Sequence, residues 1–485
     1  MKPILKVLPE DQLQKVIEEA IELLSSPGIK VGSPEAIDLL YSSGAQVDQA
    51  KGVVKLPEQL ILNCLESVPR DFYLYDANFS PAVHYAGDEV HFDPGSSGVN
   101  ILDSDTLEHR PSETGDLVDI IKISELLDVY DAQSTAVICH DVPEEIGDFY
   151  RLYLVLLFSS KPIVTGAFST ETTQVMFDLL RISGDSSEQA NQKPRAIFDV
   201  CPSPPLNWTD FGSQNLIDLA KANIPAQIVS MPLSGAAAPV TLIGSIVQHA
   251  AECLSGITIH QLANPGAAIV WGGAPAQFHM REGTTSIGAP ETSLIISGYA
   301  QVGKSLNLPT HAYLTATDSK LVDAQAGMES AASTLIGVLS GINMISGAGM
   351  LDFLACQSLE KLVIDAEAIA NAKRFLGGIG SHTKTLALEH YENFQFPGNF
   401  LAQDLTRQLY KEVQYMPSDV IDRGSLRSWR QKGNQDVFTR ARIRVDNLIA
   451  SYQPPELSPG VKDELQKIVS SHARKAGMDI LPKVN

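Results

Sequence analysis

Between residues 90 and 346 eight short apolar segments recur, each followed by a stretch of helical periodicity. The segments are 90–93, 131–138, 162–168, 196–201, 226–230, 268–272, 310–314 and 344–346. Helical patterns at 113–127, 144–158, 172–182, 212–222, 241–254, 291–305 and 324–339 separate them, and an eighth at 359–375 follows the last. A spacing of roughly 30–40 residues is the size of a βα unit. Several of the segments are continuously apolar, as strands buried on both faces are. Eight consecutive pairs predict an α/β chain built on a (β/α)8 TIM barrel. An open doubly wound sheet shares the alternation and is the alternative.

The flanks differ from this middle. Residues 1–88 read as an N-terminal α+β segment, 89–376 as the barrel catalytic domain, and 377–485 as a C-terminal helical extension. Leu13, Val16, Ile17, Ile21 and Leu24 fall on one helical face. Ser33 and Pro34 open a second helix as N-cap and first helical residue. A third helix starts near Pro57, and short strands are predicted at 52–55 and 72–75. After the break Gly377-Gly378-Ile379-Gly380, helices are predicted at 382–395, 400–416, 435–450 and 461–476.

Composition narrows the function classes. The chain has 485 residues, 44% hydrophobic and 19% charged, with a net charge of −21. Such a surface repels polyanions, which argues against nucleic acid and anionic lipid. Five cysteines without CxxC spacing suit a reducing cytoplasm. The first residues, MKPILKVLPEDQ, lack the apolar core of a signal peptide. Uncharged runs at 226–248 and 331–351 are long enough to cross a bilayer. The first is broken by Pro232 and Pro239, and the second carries Asn343 and four glycines. Both are expected to be core rather than membrane spans, and a homo-oligomer is compatible with such a chain.

One motif is a decoy. Residues 298–305, GYAQVGKS, match the phosphate-loop pattern. That loop needs a helix directly after its Lys-Ser, and Pro309 forbids one here. No metal signature is present; Cys139-His140-Asp141 is a lone cluster at a strand end. No GxSxG or nucleophile-base pair supports acyl transfer. What remains is a set of aromatic and Gly-rich strand ends, where a barrel places its active site. Phe92, Phe168, Trp271 and Tyr313, with Phe278 just beyond, either plug the barrel mouth or hold a cationic, apolar ligand through cation–π contacts. Asp93, Glu282 and Asp318 lie in the same loops, and His279 and Arg281 are candidate anion partners.

Four stretches carry a family resemblance: HFDPGSSGVNILDSDTLEHRPSETGDLVDIIKI at 91–123, GAPETSLIISGYAQ at 288–301, TDSKLVDAQAGMESAASTLIGVLSGINMISGAGMLD at 317–352, and MPSDVIDRGSLRSWRQKGNQDVFTRARIRVDNLIASYQPPEL at 416–457. The chain resembles the trimethylamine:corrinoid methyltransferase family over most of its length. The resemblance implies a TIM barrel that moves a methyl group from an amine to Co(I). The cobalt belongs to a corrinoid (cobalamin) carried by a partner protein, which would dock over the barrel mouth. Members acting on trimethylamine carry pyrrolysine, expected near 315–321; every residue here is standard. The chain therefore looks like the branch that uses quaternary amines, glycine betaine first. Trimethylamine, proline betaine and carnitine are alternatives, as are a zinc-dependent methyltransferase and a non-catalytic betaine-binding barrel. A quaternary ammonium leaves as a neutral amine, so in-line displacement by Co(I) asks for no catalytic residue; the protein binds and aims the cation. His279, Arg281 and His311 are the expected partners of the substrate carboxylate.

Overall fold

The computed structural model describes residues 3–183, 192–392, 394–396, 398–457 and 459–484. Eight strands with their following helices run in order: β1 His91–Pro94, α1 Thr114–Leu126, β2 Gln133–Ser134, α2 Gly147–Phe158, β3 Ile163–Thr165, α3 Thr170–Ile182, β4 Ala196–Val200 and α4 Asp210–Ala222. The second half continues with β5 Ala226–Ile228, α5 Leu242–Ala263, β6 Ile269–Gly273, α6 Pro290–Ser305, β7 Thr310–Tyr313, α7 Ala324–Leu339, β8 Met344–Ala348 and α8 Leu359–Leu376. Every predicted strand and helix of the middle region is present.

The strands form one parallel sheet in the order β1-β8-β7-β6-β5-β4-β3-β2. Its two edges meet: the backbone N–H groups of Asp131 and Ala132 donate to the carbonyl of Phe92 at 2.8 and 3.3 Å, and Gly98 bridges Val137 in parallel. The sheet is thus closed, and the open doubly wound alternative falls. Helix starts are fixed by side chains that accept from orphan backbone N–H groups. Thr209, Asp323 and Ser358 do so at α4, α7 and α8, and Ser169 at α3 within a capping box. Ser33 and Pro34 take their predicted cap roles on the helix Pro34–Ser42.

A hairpin of Phe72–Tyr75 and Pro81–Tyr85 closes the N-terminal end of the barrel. Leu74, Val83 and Tyr85 form one buried layer there with Ala132, Val164, Ile197, Val270 and Met344. The flanking segments cover helices that a plain barrel would leave half in water. The 22-residue α5 is long and apolar enough to cross a membrane. It is instead buried under the helices Glu10–Ser25, Pro34–Ser42 and Glu58–Ser67, between α4 and α6. In α2 every residue from Gly147 to Leu157 is buried, and the helix Pro459–Lys475 lies across it. The helix Val437–Ser451 packs on α8 and α1. The uncharged run 331–351 divides into the second half of α7, with Ala331 and Ala332 exposed, and the whole of β8, which is buried as expected.

Two expectations change. The helix predicted over 382–395 is one turn, Leu388–Tyr391, with Asn393 outside the described residues; the helix over 400–416 is Asp404–Val413. Neither buries a residue, so no packing extends them. The phosphate-loop pattern occupies the last turns of α6, where Lys304 Nζ donates to Asn343 Oδ1 at 2.7 Å.

Candidate active site

Side chains two residues apart on a strand share a face. Above the apolar layer of Ile197, Val270 and Met344, the next inward positions are Asp199, Gly272 and Ser346. This second layer is polar and internally bonded. Ser346 Oγ bridges Asp93 Oδ1 at 2.5 Å and His311 Nε2 at 3.1 Å. The Tyr313 ring meets His311 edge-on, with centroids 5.2 Å apart. Tyr313 donates its hydroxyl to Asp199 Oδ2 at 3.0 Å, and Gln227 Nε2 donates to Asp199 Oδ1 at 2.8 Å. Asp93 Oδ2 and His311 Nδ1 have no partner.

Burial sets the charges. It pushes the Asp93 carboxyl well above the ordinary range, and nearby Asp199 adds to the rise. It lowers His311 to about 3, so the imidazole is neutral. Asp199 is raised by burial to about 6, held back by its bonds to Gln227 and Tyr313. Asp199 is therefore a carboxylate at neutral pH that protonates under mild acid.

Asp199 and Tyr313 face a cavity of about 480 Å³ at the C-terminal ends of the strands. Phe168 after β3 and Phe211 in α4 add aromatic wall, and Ser96 and Ser97 after β1 add hydroxyls. Leu354, after β8, closes a side against Val229, Ala274 and Tyr313. It arrives there through three successive left-handed residues, Asp352, Phe353 and Leu354, with φ of 48°, 57° and 74°. Among the described residues, Asp199 is the one Asp or Glu in the lining, and no Lys, Arg or His joins it. Larger grooves, such as the 790 Å³ trough beside Lys462, lie away from the strand ends.

The predicted site residues separate into three groups. Tyr313 and Phe168 line the cavity, Phe168 with 51% of its surface exposed. Phe92 and Trp271 do not, which corrects the five-ring cage. Trp271 lies between inward Val270 and Gly272, so it points outward; its Nε1 donates to the Tyr299 carbonyl at 3.0 Å and its ring packs on Gly303. Phe92 points outward beneath Lys373 of α8, whose Nζ lies 5.4 Å from the ring centroid. Phe278, His279 and Arg281 sit on a hairpin, Ala276–His279 with Thr284–Ser286, outside the cavity. His279 and Arg281 are exposed, and His279 Nδ1 accepts from the Glu282 backbone. His311 is inside the barrel but below the cavity, neutral and bonded to Ser346. These three are therefore not placed to meet a substrate carboxylate within the cavity.

Asp318 caps a loop by accepting from the Ile287 and Gly288 backbone. In the Cys-His-Asp cluster, Asp141 accepts from the backbone and hydroxyl of Thr114. The cavity residues that sequence reasoning missed are Asp199, Phe211 and the Ser96-Ser97 pair. Asp199 had a signal: it is the lone charge inside the apolar strand AIFDV.

A closed parallel barrel with its cavity at the strand C-termini defines an α/β-barrel enzyme that works on a small ligand. The family model described as trimethylamine methyltransferase (MTTB) matches residues 1–478, and the chain belongs to that family of methyltransferases. Trimethylamine methyltransferase MttB of Methanosarcina barkeri (strain Fusaro) is 31% identical over 473 residues, 96% of this chain and 94% of the relative. Glycine betaine methyltransferase of Desulfitobacterium hafniense (strain Y51) is 28% identical over 477 residues, 98% of each chain. Among solved structures, the monomethylamine methyltransferase MtmB of Methanosarcina barkeri shares the fold, with a TM-score of 0.51 and 13% identity over 91% of this chain and 89% of that one.

Proposed function

We propose that this methyltransferase takes a methyl group from a small quaternary amine of the glycine betaine type. The acceptor is the Co(I) of a corrinoid carried by a separate protein. The observation that carries the reading is the cavity lining: one carboxylate, Asp199, beside the aromatic faces of Phe168, Phe211 and Tyr313, with no basic side chain. Such a lining suits a cation that cannot donate hydrogen bonds. The lack of pyrrolysine supports a substrate whose nitrogen already bears four carbons.

The acceptor supplies the electron pair of the new carbon–cobalt bond. The carbon–nitrogen pair stays on nitrogen, which leaves as a neutral tertiary amine. With the ammonium against Asp199 and Tyr313, one methyl points to the open mouth, in line for displacement. Asp199 and the rings hold the charge that is lost in the step, so they contribute to binding more than to rate. Rim loops expose Met231, Val240 and Met280, apolar surface that suits a docking protein bringing a flat ring.

Incubation with glycine betaine and Co(I) cobalamin should give dimethylglycine by mass spectrometry. No product with glycine betaine, proline betaine or carnitine would overturn the reading. Trimethylamine is the second reading, favoured by the 31% identity to the Methanosarcina barkeri enzyme. Product from that amine alone would put it first.

A further inference from the structure

One buried charge beside the cavity has no ion-pair partner among the described residues. Arg151 in α2 is fully buried. Its Nε donates to the Gly147 carbonyl at 3.2 Å, and its Nη1 to the Thr135 carbonyl at 3.1 Å and to Ser97 Oγ at 3.0 Å. Nη2 has no partner. The guanidinium carbon lies 4.7 Å from the ring centroid of Phe168, a cavity wall. The nearby carboxylate Asp148 is spent elsewhere, accepting from the Phe168 backbone at 2.8 Å, the Phe149 backbone at 2.7 Å and the Thr172 hydroxyl. Among the described residues no carboxylate forms an ion pair with Arg151. Asp148 still acts on Arg151 through space, but a fully buried guanidinium without an ion pair is costly and favours a further anion nearby.

Ser97 connects this charge to the cavity. It adopts a left-handed conformation, φ 56°, and lines the wall with Ser96, their hydroxyls 3.4 Å apart. Because Ser97 Oγ accepts from Arg151 and shares one hydrogen bond with Ser96, the pair keeps one hydroxyl proton to point toward a ligand, polarised by the cation behind it. Asp199 stands at the end of β4, three strands round the barrel from β1. The cavity wall thus carries a carboxylate at one strand end and a cation-backed hydroxyl pair at another.

We propose that Ser96 and Ser97, backed by Arg151, form a subsite for a carboxylate on the amine substrate, so that the enzyme selects zwitterions over simple cations. This rests on the quaternary-amine reading above. Arg151 acts through Ser97 as a positioning residue. It replaces His279, Arg281 and His311 as the source of anion recognition.

Calorimetric titration of the full chain with glycine betaine and with choline, whose tail is a neutral hydroxyl, tests it. The wild type should bind glycine betaine at least about tenfold more tightly than choline. Ser97→Ala and Arg151→Gln should bring that ratio close to one while changing choline affinity less than about twofold, and Arg151→Lys should keep part of the preference. Equal wild-type affinities, or an unchanged ratio in Ser97→Ala, would overturn the subsite. Should Arg151→Gln not fold, the wild-type ratio and Ser97→Ala still decide. If wild type binds neither ligand and turns over no quaternary amine, the proposed function fails rather than the subsite.

Discussion

Asp199 concentrates the chemistry of the cavity in one side chain. Asp199→Asn keeps its shape and removes its charge. We expect KM for a quaternary amine to rise about tenfold or more, with a smaller change in kcat, measured by steady-state kinetics. The raised pKa, about 6, sets a sign. A cation favours the ionised carboxylate, so affinity should rise with pH through about 6 and level off above it. Calorimetry between pH 5 and 8 would follow this. Tyr313→Phe removes a bond that holds the Asp199 pKa down, so the midpoint of that profile should move to higher pH. Phe92 and Trp271 illustrate what a residue list cannot settle. Both are aromatic and both lie within barrel strands, but each is one position out of phase with the interior. Because these strands are apolar on both faces, hydrophobicity does not mark which parity points inward. Above the apolar inner layer, inward Asp93, Asp199, His311 and Ser346 are polar, and that polarity inside otherwise apolar strands was the readable clue.

At the scale of elements, one buried ion pair holds the loops above β7 and β8. Lys361 in α8 bonds Asp365 Oδ2 at 2.5 Å, Ser330 Oγ at 2.8 Å and the Thr315 carbonyl at 3.1 Å. Thr315 is left-handed, φ 63°, and Asp365 also accepts from the Gly349 backbone at 2.8 Å. Asp365→Ala would strand a buried cation and orphan that N–H. We expect a loss of about 3–5 kcal/mol in urea unfolding, well above a surface pair. Gly347 has φ 123°, and a Cβ there would come within 2.2 Å of the Leu314 carbonyl oxygen. Gly347→Ala should therefore fail to give soluble protein on expression, because the clash is with backbone. The eight βα pairs were legible from spacing because each strand is a short apolar run and each helix a periodic one. The helices Leu388–Tyr391 and Asp404–Val413 are shorter than their periodicity predicts because neither buries a residue.

For the whole molecule, the N- and C-terminal segments finish the burial that the barrel begins. Val16, 2% exposed, lies in the helix that crosses α5. Val16→Asp should cost about 3 kcal/mol or more and speed hydrogen exchange in α5, measured by mass spectrometry. The low charged fraction, 19%, fits this arrangement, since α2 and α5 are covered on the sides a simple barrel would wet. Taken alone, the sequence determined the fold class, the eightfold repeat and the end of the barrel where chemistry belongs. Those depend on local periodicity and on the polarity of parallel strands, both written along the chain. The tertiary structure decided which parity faces inward, that Asp199 and Tyr313 share one cavity, and that Arg151 is buried with no ion-paired carboxylate among the described residues. Those are relations between residues far apart in sequence, fixed when the sheet closes and its register brings distant strand ends to one point.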